Sequence, residues 1–287
     1  MRCTAVLLVA VCGCGMSGAS AGDLGAGDLA SAADAGGGCA LAADTTATAT
    51  VTNGCARLTR DTSACAAART AQGLSGAWLE FSCRVTLTRV AGSTTYVQAS
   101  SDSRPDYPSN YFAPTDPCYA AYTPSFPDPN QISPQSLTIK APATPDTAGA
   151  QMGLGPVGIA VNGVAIFDNQ AAPGDDIFKE AASFDRCGGH AAPGGEYHYH
   201  GEPYAISYDD SNLIGVLRDG YFVYGRRDAD GSLPQSLDGH GGHVATTADS
   251  ATPVYHYHLT QQTSINVDTA GQMQWFLTTG SYEGTPL

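Results

Sequence analysis

Charged residues are scarce in this chain, at 14% of 287 residues, and basic residues are the scarcest, with 13 Lys and Arg against 27 Asp and Glu. A nucleic-acid surface needs clustered basic side chains, so we expect no nucleic-acid partner at a formal net charge of −14. The 34 Gly and 17 Pro predict frequent turns and few long helices. We therefore expect a mainly β fold that is irregular and loop-rich.

Long apolar runs are also missing. The chain has a short apolar run at residues 5–11, which follows Arg2. That run is too short to span a bilayer and has the anatomy of an export signal. The sequence VCGC at 11–14 resembles a bacterial lipobox, which predicts lipidation of Cys14; an ordinary secretory signal is the alternative. We expect an extracytoplasmic protein, held to the cell envelope only through this lipid anchor, or else secreted or periplasmic.

The chain contains cysteines but no CxxC pair, so we do not expect a zinc site with thiolate ligands. Beyond the signal the cysteines are Cys39, Cys55, Cys65, Cys83, Cys118 and Cys187. In an oxidising compartment they predict three stabilising disulfides. We expect the first four to pair among themselves and Cys118 to pair with Cys187.

Composition divides the chain into four parts. Residues 1–14 are the signal and lipobox, 15–38 a flexible tether of small and polar residues, 39–77 a disulfide-bearing lead-in, and 78–287 one domain. Alternation of apolar and polar residues over 78–90 predicts a half-buried strand whose hairpin partner is 94–100. The proline-rich stretch 102–135 predicts irregular chain.

The second half contains an internal repeat, with copies at about 155–200 and 212–258. Each copy has a hairpin with an Asn-Gly or Asp-Gly turn, a loop with the pattern DxxGGH, and a YHYH strand at 197–200 or 255–258. Two copies of one supersecondary unit predict packing about a pseudo-twofold axis.

Histidine is absent from the first 189 residues, and all seven histidines lie between 190 and 258. Residues i and i+2 of a strand point to one face, so His198 projects with His200, and His256 with His258. Paired imidazoles on one face can chelate an ion. We expect the four tyrosines of the motifs on the opposite face, packed and hydrogen-bonded.

His190 and His243 lie on the glycine-rich loops and can each return a third imidazole to their own strand. Three histidines with an open position are typical of zinc or copper. Alternatively, all six imidazoles converge on the pseudo-twofold axis. The sequence does not distinguish one site per repeat from one shared site. Copper, zinc or iron is favoured, and manganese or calcium becomes possible with carboxylates. His240, in place of Cys187 in the second copy, is the least secure ligand.

Asp185 and Asp238 occupy equal places in the two DxxGGH loops. Either can orient a liganding imidazole by accepting its free N–H, act as a base, or be a ligand itself. An Asp at this place can equally cap the loop.

Common catalytic motifs are missing: there is no GxSxG elbow, no HExxH and no phosphate loop. The reaction is therefore unassigned. The first hypothesis is an extracytoplasmic metal-binding protein with the histidines as ligands. The alternatives are a hydrolytic or oxidative enzyme with a metal-activated water, and a surface module whose His/Tyr network is structural.

These motifs resemble the YHYH-domain family of exported proteins. The resemblance also includes SRPDYP at 103–108, FPDPNQI at 126–132, GIAVNGV at 158–164 and GVLRDGYFVYG at 215–225. It extends over roughly 78–287 and implies export and a single domain, without an established reaction. Two residues depart from the pattern: Tyr107, where the family pattern has His, and Phe222, where it has Pro.

Overall fold

A computed structural model describes residues 38–287. The expected signal, the lipidated Cys14 and nearly all of the tether lie outside the described residues. Within 38–287, no helix combines the length and the apolar character that crossing a bilayer requires.

The fold is mainly β, as the composition predicted. Its strands are β1 (Thr45–Thr50), β2 (Ala56–Arg60), β3 (Thr86–Val90), β4 (Tyr96–Ser101), β5 (Leu137–Pro142), β6 (Ala150–Gln151), β7 (Pro156–Ala160), β8 (Ala165–Phe167), β9 (His190–Ala191), β10 (Tyr197–Tyr199), β11 (Leu213–Leu217), β12 (Phe222–Tyr224), β13 (Gly242–Thr247), β14 (Ser250–His258), β15 (Thr260–Thr263), β16 (Met273–Phe276) and β17 (Ser281–Tyr282). The α-helices are α1 (Ser63–Ala71) and α2 (Ile177–Glu180), and short 3-10 turns lie at Ala40–Ala42, Thr52–Gly54, Gly76–Leu79 and Ala181–Ser183.

A mixed eight-stranded sheet organises the domain, in the order β13-β14-β12-β11-β7-β8-β10-β9. The hairpins β7–β8 and β11–β12 turn at the Asn-Gly and Asp-Gly pairs as predicted, with Gly163 and Gly220 at φ 90° and 92°. Positive φ is a conformation that glycine adopts without a steric penalty. The antiparallel β7–β11 pair lies at the centre of the sheet. On one side, the hairpin strand β8 pairs in parallel with β10, which pairs with the antiparallel edge strand β9. On the other side, β12 pairs in parallel with β14, which pairs with the antiparallel edge strand β13. The internal duplication and its pseudo-twofold axis stay a prediction, which this order favours.

A second sheet, β3-β4-β5, contains the predicted hairpin. The first strand of this hairpin begins only at Thr86, so the expected strand over 78–90 is wrong in its first half. Arg69 explains the difference, because its buried guanidinium binds the carbonyl oxygens of Phe81, Ser82 and Val85. These carbonyls are therefore not free for strand pairing. Residues 102–135 are irregular as predicted.

Three disulfides link the cysteines, as expected in number but not in pairing. They are Cys39–Cys118, Cys55–Cys187 and Cys65–Cys83. The predicted Cys118–Cys187 bond is wrong, and only Cys65–Cys83 lies within the first group of four. The reason is that the lead-in packs across the domain, so its cysteines reach partners distant in sequence.

The lead-in joins the domain through a buried ion pair between β2 and an irregular loop. Arg60 Nε donates to Asp106 Oδ2 at 2.5 Å, and the two side chains are 6% and 0% exposed. Asp106 also accepts from the Asn162 amide at 3.0 Å, so it fixes the β7–β8 turn as well. The predicted domain boundary at residue 78 stays a prediction.

Asp106→Ala should lower the free energy of unfolding by about 3 to 4 kcal/mol, since it leaves a buried guanidinium without its counterion. Urea unfolding followed by fluorescence measures this change. Asp268→Ala is the matched control, because the Asp268–Lys179 pair is 68% and 55% exposed and should change stability by less than about 1 kcal/mol. Equal effects of the two substitutions would contradict the assignment.

Candidate metal centre

The paired histidines of both YHYH strands project from one face of the large sheet. Directly opposed residues of neighbouring strands share a face. Starting at His198, the paired residues on successive strands are Ala165, Ile159, Val216 and Phe222. Tyr224 is two residues after Phe222 in the same strand, so it shares that face, and it pairs with His258. His190 and His243 are opposite His198 and His256 in the edge strands β9 and β13. The strand alternation thus brings all six predicted ligands to one face.

These six imidazoles form two groups, not one. The first cluster is Glu180, His190, His198 and His200, and the second cluster is Asp228, His243, His256 and His258; in each, one ligand atom per residue lies within 4.8 Å of the others. Five strand-to-strand steps separate β10 from β14, which at about 4.8 Å a step is roughly 24 Å. The alternative in which all six converge on an axis is therefore not the arrangement observed.

In the first cluster the imidazoles meet through their Nε2 atoms. His198 Nε2 is 3.0 Å from both His190 Nε2 and His200 Nε2. Glu180 Oε1 lies 3.3 Å from His190 Nε2 and 3.9 Å from His200 Nε2. The three histidines are 2% exposed, so this focus of donor atoms is withdrawn from bulk water.

The second cluster has the same kinds of donor group, with an aspartate in place of the glutamate. His256 Nε2 is 3.0 Å from His258 Nε2. Asp228 Oδ1 lies 3.0 Å from His243 Nε2 and 3.2 Å from His258 Nε2. Each cluster therefore offers three imidazoles and one carboxylate.

Backbone carbonyls fix the tautomer of the strand histidines. A carbonyl oxygen can only accept, so the Nδ1 that faces it must carry the proton. The four contacts are His198 to Glu196 at 3.0 Å, His200 to Asp168 at 2.5 Å, His256 to Val254 at 3.0 Å and His258 to Gly225 at 2.8 Å. In a neutral imidazole, Nε2 then carries no proton and its lone pair is available for coordination.

His190 reaches the same state through a hydroxyl. Ser183 Oγ donates to the Glu180 carbonyl at 2.7 Å, so its contact of 2.9 Å with His190 Nδ1 must be one in which Nδ1 donates. The three Nε2 atoms of the first cluster are therefore all unprotonated and face one another. Fixing the outer nitrogen in this way is how proteins orient metal-binding imidazoles.

Burial keeps these imidazoles neutral. It lowers the pKa of His190 to about 3 and that of His200 to about 4, and it lowers the pKa of His198 well below its ordinary value, with the neighbouring imidazoles adding to the effect on His190 and His198. In the second cluster burial lowers the pKa of His256 to about 4 and also lowers that of His258. Neutral imidazole is the form that binds metal.

The sequence did not predict the two carboxylates. Glu180 ends helix α2, 10 residues before His190, whereas Asp228 lies in a loop 15 residues before His243. Because the spacings differ, comparing the two repeats could not reveal them. Burial, with the negative charges of Asp175 and Asp128, raises the pKa of Glu180 to about 7.

The structure places Asp185 and Asp238 away from the imidazoles. Asp185 accepts from the backbone N–H groups of Cys187 and Gly189 and from the Tyr197 hydroxyl at 2.7 Å. Asp238 likewise accepts from Tyr255 at 2.9 Å. The expectation that either residue orients an imidazole or acts as a base beside it is therefore corrected. Both cap the glycine-rich turn, because its N–H groups converge on the carboxylate.

The motif tyrosines lie on the other face of the sheet, as predicted. Tyr199 OH is 2.7 Å from Tyr107 OH and 3.1 Å from Asn162 Nδ2, and Tyr257 OH donates to Asp219. Tyr107 is therefore part of the tyrosine network, and its departure from the family pattern does not touch either histidine cluster.

His240 stands outside both clusters. Its Nδ1 is 2.9 Å from Ser281 Oγ, and its Nε2 is 3.7 Å from Glu283. The least secure of the possible ligands is thus placed on a surface loop beside the C-terminal strand.

Comparison with known proteins gives one match. Residues 138–235 match the family model described as YHYH protein, and this region contains the whole first cluster together with Asp228. No curated protein and no solved structure matches the chain. The chain therefore contains a YHYH-family domain, as its motifs predicted.

Proposed function

We propose that this chain is an extracytoplasmic metal-binding protein that holds one ion in each cluster. The observation that carries the proposal is the convergence of three unprotonated Nε2 atoms and one carboxylate oxygen in the first cluster. The second cluster repeats this donor set.

Electrostatics supports a bound cation. Two Nε2 lone pairs 3.0 Å apart repel each other, because neither nitrogen has a proton to donate. A cation placed between them turns this repulsion into coordination. A purely structural His/Tyr network would satisfy each imidazole nitrogen with a protein group, and the shared focus of Nε2 atoms does not fit that alternative.

The donor set favours particular metals. Three imidazoles suit zinc, copper and iron, and the carboxylate also admits manganese. Calcium takes six to eight oxygen ligands, so it fits these clusters poorly. In zinc sites a catalytic ion keeps one position for water. Here the carboxylate supplies a fourth protein ligand, which favours binding over the enzymatic alternative.

The three disulfides support the extracytoplasmic location, since such bonds persist in oxidising compartments. The lipid anchor at Cys14 remains part of the proposal.

Elemental analysis of the protein purified from an oxidising compartment tests the proposal. We expect two equivalents of a first-row transition metal per chain. A folded protein with intact disulfides that contains no metal, and takes up none from zinc or copper solutions, would remove the proposal.

Each carboxylate should contribute to its own cluster alone. Glu180→Gln should weaken zinc binding to the first cluster by at least about tenfold, since the loss of outer partners alone costs that much. Asp228→Asn should do the same at the second cluster. Competition with a chromophoric chelator measures both affinities.

Glu196→Gln is the matched control, because Glu196 touches the first cluster only through its backbone carbonyl. It should leave both affinities unchanged. A loss in Glu196→Gln equal to that in Glu180→Gln would show that general negative charge, and not coordination, attracts the metal.

A further inference from the structure

The two clusters differ in how firmly their surroundings are held. In the first repeat the DxxGGH loop is buried: Asp185 is 3% exposed, and Cys187 is fixed by its disulfide to Cys55. In the second repeat Asp238 is exposed, and the half-buried His240 stands in the place of Cys187. One loop is therefore covalently pinned, and the other lies at the surface.

A phenylalanine closes the first cluster. The Phe184 ring is 5.1 Å from the His190 ring and stacks parallel to the His200 ring at 6.2 Å; it is 8% exposed. Leu237 holds the same place in the second repeat and is only half-buried. The first cluster therefore has a buried aromatic ring at this position, where the second has a half-buried leucine.

The edge strands differ as well. At the first cluster, the strand β9 is covered by an irregular segment, in which Asn130 donates to the Ala191 carbonyl at 3.0 Å. At the second cluster, half-buried and exposed residues alternate between the buried ends of β13, with Val244 66% exposed.

The exposure of the histidines follows the same division. His243 of the second cluster is 13% exposed, whereas its counterpart His190 in the first cluster is 2% exposed. Both carboxylates are partly exposed, Glu180 at 27% and Asp228 at 17%, so the difference lies in the imidazoles.

Release of an ion requires ligands to swing away from it, and the cost depends on how readily the surrounding segment opens. Buried, cross-linked segments open rarely, whereas exposed loops open often. We propose that the first cluster retains its ion as a structural element, whereas the second exchanges its ion and is the site through which the protein takes up and passes on metal. This inference rests on the proposed function.

The rate of zinc release to excess chelator tests whether the first cluster retains its ion and the second cluster exchanges it. The protein loaded with two equivalents of zinc is mixed with EDTA, and release is followed by removing the chelator complex at intervals and measuring residual metal. We expect two phases of one equivalent each, with rates at least about tenfold apart. His256→Ala/His258→Ala should remove the fast phase, and His198→Ala/His200→Ala the slow one.

A variant of Phe184 tests the cause without removing a ligand. Phe184→Ala should quicken the slow phase by about tenfold or more, since it removes the buried aromatic ring, and should leave the fast phase unchanged. Leu237→Ala, its counterpart in the second repeat, should leave the slow phase unchanged.

Release of both equivalents in a single phase would overturn the inference while leaving the proposed function standing. So would an unchanged slow phase in folded Phe184→Ala protein that still binds two equivalents. Failure to bind zinc at all would overturn the inference and the proposed function together.

Discussion

Replacing both His198 and His200 with Ala is expected to lower the bound metal from two equivalents to one. The substitutions remove two of the three imidazoles of the first cluster, and a single imidazole with one carboxylate is too small a donor set to compete with chelating buffer. The second cluster lies about 24 Å away, five strand spacings along the sheet, so it should keep its ion. Elemental analysis after extensive dialysis measures the stoichiometry.

His256→Ala/His258→Ala is the reciprocal variant and should also leave one equivalent. His240→Ala is the matched control, because that histidine lies outside both clusters, and should leave two. Loss of both equivalents in a folded His198→Ala/His200→Ala protein would mean that the clusters form one site. Retention of two would mean that these histidines are not ligands.

Removing the disulfide between Cys55 and Cys187 is expected to lower the free energy of unfolding by about 5 kcal/mol. Its two cysteines are 132 residues apart in sequence, so the bond restricts a large loop of the unfolded chain, and the stabilisation grows with loop size. This value is a large fraction of the roughly 5–15 kcal/mol that stabilises a typical domain. Urea unfolding of Cys55→Ser/Cys187→Ser measures it.

The bond between Cys65 and Cys83 provides the control, since its cysteines are only 18 residues apart. Cys65→Ser/Cys83→Ser should cost about 3 kcal/mol. A larger loss from this short loop than from the long one would contradict the explanation. Because the long-range bond also pins the loop of the first cluster, its removal should speed metal release from that cluster alone.

Local patterns predicted the parts of the fold that local physics determines. The turns at Asn162-Gly163 and Asp219-Gly220 followed from the preference of glycine for positive φ. The common face of His198 and His200 followed from the two-residue period of a strand. These features require only neighbouring residues, so a single sequence was sufficient.

Features that depend on distant packing were not predictable in the same way. The pairing of Cys55 with Cys187 requires knowing that the lead-in crosses the domain. The Arg69 guanidinium donates to the carbonyl oxygens of Phe81, Ser82 and Val85. These carbonyls therefore cannot accept the strand-pairing hydrogen bonds of the expected strand near Trp78.

The carboxylate of each cluster shows the same limit. Glu180 and Asp228 reach their histidines from segments with different spacings and different local structures. Only the tertiary fold brings each carboxylate to the open side of its three imidazoles. The sequence-based candidates Asp185 and Asp238 have matched positions in the repeats, but that match reflects their shared role as caps of the glycine-rich turns.

Anomalous scattering from crystals grown with zinc would locate the bound ions directly. We expect two peaks per chain, each about 2.0–2.2 Å from three Nε2 atoms and one carboxylate oxygen, at Glu180, His190, His198 and His200 and at Asp228, His243, His256 and His258. A single peak shared between the repeats, or zinc bound only at other residues, would contradict this expectation.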